Sequence, residues 1–179
     1  MVFVTEAWTA PAIDRTEPDL VAGERSSLEQ WLDYHRATLL MKCAGLTAAQ
    51  LKQRAMPPSG LSLLGLVRHM VEVERWWFRM HAAGEEIGFI YDPDGVGLDF
   101  DEIDEADAQA DLAAFERECE AARRAVAGLS LDDQVPSRGD HPGRVLDIRW
   151  IFVHMIEEYA RHNGHADLLR EAIDGATGD

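Results

Sequence analysis

The sequence predicts an all-α chain, a four-helix bundle preceded by an extended arm. Three observations carry this. Four segments of about 20 residues place apolar side chains three and four apart, the period of a helix with one buried face. Turn-forming residues separate the segments: Gly45, the run Pro57-Pro58-Ser59-Gly60, Gly128 and a Gly-rich tail. No stretch alternates apolar and polar residues as a half-buried strand would.

The first helix is expected over 24–44, with Leu28, Trp31, Leu32, His35, Leu39 and Leu40 in helical register and Gly45 as its stop. The second is expected over 62–82, with Leu63, Leu66, Met70, Val73 and Trp77 as its apolar stripe and Ser59-Gly60 as its cap region. The third covers 105–127, with Ala108, Leu112, Phe115, Cys119 and Ala122 inward. The fourth covers 146–173. Residues 1–22 read as an arm lying on the bundle with Trp8 as anchor, and 23–175 as the bundle itself. An acidic loop (83–104) and a second loop (129–145) join the later helices.

A length of 179 residues suits one domain able to bury a core. The formal net charge of −16 argues against nucleic acid and anionic membranes as partners, since both require a cationic face. No apolar run is long enough to span a bilayer, and the N-terminus lacks the basic and apolar regions of a leader, so a cytoplasmic location is expected. Cys43 and Cys119 are too few for a disulfide framework and are expected to be reduced and buried.

The fourth helix breaks the pattern. Trp150, Ile151, His154, Glu158, Arg161, His162, His165, Leu168 and Leu169 share one stripe, so a face expected to be apolar is polar through its middle. Phe152, Ile156 and Tyr159 form a second apolar face, which suggests a homodimer. Burying the polar groups unpaired would cost several kcal/mol each, on the order of the penalty for any uncompensated charge. Residues four apart on a helix can share one ion, as His154 with Glu158 or Glu158 with His162. Positions 154 and 162 lie about 12 Å apart along the axis and cannot both reach it. A third donor must come from another helix, and His69 stands at the edge of the second helix's apolar stripe. Spacing alone leaves two readings open: a three-donor metal site, or a buried ion-pair network around Glu158.

The segments SGLSLLGLVRHMVEVERWWF and LDIRWIFVHMIEEYARHNGHADLLREAIDG, with TEPDLVAGERSSLEQWLDYHRATLLMKCAGLTAAQL before them, resemble the DinB-like four-helix superfamily. The likeness is to its mini-circle, or domain-of-unknown-function, branch. That superfamily places one metal-binding His on the second helix, matched by His69, and an HxxxHxG element on the last. Here the element is Glu158-x-x-x-His162-x-Gly164, with Glu in place of the first His. The same departure occurs in the related mycothiol-dependent maleylpyruvate isomerases. The resemblance therefore implies a divalent ion, zinc first and nickel second, on His69, Glu158 and His162. His154, His165, Arg161, Trp150, Arg149 and Glu72 are expected around it, as supporting or pocket residues.

It also implies a metal-dependent S-transferase that uses a low-molecular-weight thiol, mycothiol above all, to conjugate an electrophilic small molecule. Two other classes stay open: a non-catalytic, metal-stabilised stress or binding protein, and a metal-dependent hydrolase. No HExxH, G-x-S-x-G, phosphate-binding Gly loop or CxxC is present.

Overall fold

The computed structural model describes residues 8–93, 100–138 and 143–178. The first seven residues of the predicted arm, residues 94–99 of the acidic loop and His141 lie outside them. The described chain is mostly helical: α1 (Glu24–Cys43), a single turn α2 (Ala48–Leu51), α3 (Leu63–Glu74) running directly into a π-helical segment (Arg75–Ala82), α4 (Ala108–Val126) and α5 (Ile148–Asp174). α1 packs along α5, and α3 packs along both α4 and α5. No described helix is long and apolar enough to cross a membrane.

The helix starts follow from side-chain caps, which satisfy N–H groups that no preceding turn can. Ser62 caps α3 through the Gly65 N–H at 3.0 Å. The cap is therefore Ser62 and not the Ser59-Gly60 pair; Ser59 Oγ instead accepts from the Leu61 N–H. Asp107 caps α4 through Ala110, and Asp147 caps α5 through Trp150. Gly175, at φ 78°, ends α5 in the left-handed conformation that a Cβ would disfavour.

Two elements were not expected. Thr47 and Gln50 form a capping box that nucleates α2. Gln134–Pro136 (β1) pairs antiparallel with Val145–Asp147 (β2) inside the second loop. Strands of three residues are too short to show alternation in sequence. Ahead of α1, Trp8 packs on the core, Thr9 bridges Thr47, and Ala10 is buried, donating to Leu46 O and accepting from Gly45 N–H.

The face of α5 that enters the core differs from the expected one. It carries Ile148, Ile151, Phe152, Met155, Tyr159, Asn163, Ala166 and Leu169. Trp150, Arg161 and Leu168 are exposed, and the His/Glu residues lie at the rim. At about 100° per residue the buried stripe is centred about 100° round the helix from the expected position. Phe152 and Tyr159 thus fill this chain's own core, and the two-faced helix that suggested a homodimer is accounted for within one chain.

A buried ionic cluster spans the core. Arg36 of α1 binds Glu74 of α3 through two hydrogen bonds, Nε to Oε1 at 2.7 Å and Nη2 to Oε2 at 2.6 Å. The Tyr159 hydroxyl of α5 donates to Glu74 Oε1 at 2.7 Å, with the Cys119 thiol of α4 at 3.9 Å from the same oxygen. Burial pushes Cys43 up to about 12 and Cys119 higher still, so both thiols are inert as nucleophiles.

Removing one partner of this cluster leaves a charge uncompensated in the interior. Glu74→Ala is expected to destabilise the fold by about 3–5 kcal/mol, read by urea denaturation, with the Arg36→Met/Glu74→Leu double variant losing much less.

A second expectation concerns acid. Buried His81 accepts the Arg138 N–H at Nε2 (2.9 Å), while its Nδ1 lies 3.1 Å from Trp76 O, an arrangement for the neutral ring. Burial holds its pKa below the ordinary 6.5. The folded state thus favours the neutral form. Its contribution is complete above pH 6.5 and is lost as pH falls through the lower folded value. Melting temperature should decline below pH 6.5 in wild type, and less steeply in His81→Gln.

Candidate metal centre

α3 and α5 run antiparallel across the seam where the site forms. His69 meets His162 edge-on with ring centroids 4.8 Å apart, and two turns later Trp77 meets His154 at 4.6 Å. Residues four apart repeat along each helix, so His69 and Trp77 share a face with Val73, and Trp150, His154, Glu158 and His162 share one on α5.

The structure brings the three expected ligands together. Their donor atoms, one each from His69, Glu158 and His162, lie within 4.8 Å of one another. His162 Nε2 stands 3.4 Å from Glu158 Oε2. Ligands at about 2.1 Å from a tetrahedral ion lie about 3.4 Å apart, so this separation is compatible with two donors on one metal as well as with an i,i+4 ion pair. It is longer than a good hydrogen bond. The donor set, two imidazoles and one carboxylate, suits zinc or a similar divalent ion and leaves coordination positions open. Side-chain exposures of 17% for Glu158 and 13% for His162 leave the centre reachable from solvent.

The surrounding residues sort clearly. His165 Nδ1 lies 3.4 Å from His162 Nδ1, a long contact on the ring nitrogen that Glu158 does not face, from which it can support the ring's orientation. His154 stacks on Trp150 (4.9 Å, 13° between planes) and meets Trp77 edge-on. Trp150 and Trp77 are themselves 5.5 Å apart, and together these rings form one wall beside the carboxylate.

Three residues expected near the centre are engaged elsewhere. Arg161 is exposed and bonds Glu157. Arg149 bridges Glu24 and Asp132, tying the start of α5 to α1 and to the preceding loop. Glu72 Oε1 accepts backbone N–H groups of Ile90, Tyr91 and Asp92, and burial raises its pKa despite them. It anchors the chain leaving the π-helical segment.

Phe100 was not anticipated. It lies 4.9 Å from the His69 ring, and a Cβ on Gly65 would come within 3.1 Å of it. Gly65, one turn before His69, is what lets the phenyl ring settle there. A loop aromatic has no periodicity to announce it. Trp77 was legible only as core; its spacing of eight from His69 was the available signal. A separate cavity of about 260 Å³, lined by Leu32, Arg36, Phe78, Val126 and Phe152 among others, shares no residue with this centre.

The result is a helical protein with a solvent-reachable His/Glu/His donor set at the seam of two helices. Residues 27–175 match the family model described as mycothiol-S-transferase, and the chain belongs to that family. This agrees with the resemblance drawn from the sequence. Searches of curated proteins and of solved structures returned no significant match.

If His165 holds the His162 ring, His165→Ala should weaken zinc affinity by about 10–100-fold without unfolding the chain. Competition with a chromophoric chelator measures the first effect and circular dichroism the second.

Proposed function

We propose that the protein is a metal-dependent thiol S-transferase of the DinB-like four-helix type. Residues 23–175 form the catalytic bundle and 1–22 an arm upon it, and the protein acts in the cytoplasm on a small-molecule thiol, mycothiol, and an electrophile. The observation that carries this reading is the convergence of His69, Glu158 and His162 from two helices, in a chain that belongs to the mycothiol-S-transferase family.

Zinc, or a similar divalent ion, would supply Lewis acidity there, keeping a thiol in its nucleophilic thiolate form at neutral pH. The chain's own residues set the conditions. Glu158 contributes one negative charge, and His165 orients His162. Trp77, Trp150 and Phe100 present apolar rings beside the donors, a surface suited to the carbon skeleton of an electrophile and to excluding water. In the overall reaction with an alkyl halide, the sulfur lone pair forms the new carbon–sulfur bond as the carbon–halogen bond breaks. Halide leaves with the bonding pair and the thiol proton goes to solvent.

The test is turnover of a chromogenic aryl or alkyl halide with and without mycothiol, using untagged protein prepared without a chelating column. Thiol-dependent conversion by the zinc-loaded wild type, lost in His69→Ala and His162→Ala together with their tight zinc, is the expected outcome. Turnover of esters or amides indifferent to thiol would establish a hydrolase instead. Zinc loss that lowers the melting temperature, with no conversion in any protein, would leave a metal-stabilised binding protein.

A further inference from the structure

Glu158 turns its two oxygens towards two different histidines. Oε2 lies 3.4 Å from His162 Nε2, and Oε1 lies 3.5 Å from His154 Nε2. Both separations are too long for good hydrogen bonds and both match the distance between neighbouring ligands on one ion. The second side also has its own third donor. His154, Glu157 and Glu158 place one ligand atom each within 4.8 Å of one another, just as His69, Glu158 and His162 do.

Glu157 is compatible with this role. Arg161 bonds its Oε1, while Oε2 lies 3.8 Å from His154 Nδ1, the ring nitrogen opposite the one that faces Glu158, so Glu157 must swing towards Nε2 to share an ion there. Helical spacing explains the set: residues i, i+3 and i+4 rise from adjacent positions of one face. The ring of His154 is confined between Trp150 and Trp77, which limits the rotations it must surrender on binding.

We propose that the site takes a second divalent cation, held by His154, Glu157 and Glu158, with the Glu158 carboxylate bridging it to the first. A carboxylate shared by two ions, one on each oxygen, is a recurring arrangement in helical metal sites and in two-metal catalysis. The second set draws its donors from a single helix and is more exposed, with side-chain exposures of 22% for His154 and 47% for Glu157. It is the weaker of the two, filled after the first. This rests on reading His69, Glu158 and His162 as a metal site, and the experiment separates the two ideas.

Protein stripped with chelator is titrated with Zn²⁺ by calorimetry, and bound zinc is counted by mass spectrometry after desalting. Wild type should bind two ions in two steps. Glu157→Gln, an exposed change that leaves the core untouched, and His154→Ala should keep the tight step and weaken the second at least about tenfold. His69→Ala should lose the tight step. A single step in wild type, unchanged in Glu157→Gln and His154→Ala, overturns the second ion and leaves the first site standing. Two steps in all three proteins would mean an adventitious surface ion and would also overturn it. No binding in any of them overturns both sites.

Discussion

The arrangement depends on one buried contact, the Arg36–Glu74 ion pair with the Tyr159 hydroxyl upon it. Glu74 is fully enclosed, so its charge requires these partners, and they come from α1 and α5. A bidentate guanidinium–carboxylate pair tolerates little rotation. Together they fix the angle at which α5 lies against α3. Tyr159 adjoins Glu158, and Glu74 stands five residues after His69. Locking Tyr159 onto Glu74 therefore turns Glu158 and His162 to the seam where His69 waits. The core pair and the metal donors use the same two helices, one set facing inward and the other at the rim.

The chain's abundant charges divide along that boundary. Arg161, Arg149 and Arg123 are spent on surface or interhelical pairs with Glu157, Glu24 and Asp33. Such exposed pairs contribute little stability each. Among the donors themselves, Glu158 faces histidines on both sides, and no arginine pairs with it among the described residues.

Much of this was legible in the sequence because it rests on local rules. The four long helices follow from a 3.6-residue period that survives in any context, and their limits were placed to within a few residues. The meeting of His69, Glu158 and His162 was only half legible: four-residue spacing pairs Glu158 with His162 and His69 edges an apolar stripe, but spacing left an ion-pair network equally open, and only the family resemblance chose His69 as the third donor. What was not legible depended on tertiary packing. The inward face of α5 was misassigned because Ile151 and Leu169 border both candidate stripes, and only the partner helices decide between them. Asn163, a polar residue that enters the core, gives no such sign in a linear pattern, whereas Tyr159 and Phe152 read as an apolar face but one assigned to a partner subunit. The hairpin was too short to alternate, and Phe100 reaches His69 from a loop, through space cleared by the absence of a side chain at Gly65.

Position at the rim also bears on what the site is for. A purely structural zinc ion is normally closed off by four protein ligands, often thiolates, because its task is to hold the chain together. Here both cysteines are sealed in the core, away from the donors, and the core is already tied across four helices by Arg36, Glu74, Cys119 and Tyr159. The fold therefore has little need of a metal clamp at the seam. Three donors, partly open to solvent and bordered by tryptophan rings, are poorly arranged for stability and well arranged for admitting a ligand. That asymmetry, a self-sufficient core beside an open donor set, is the physical reason to favour chemistry over architecture at His69, Glu158 and His162.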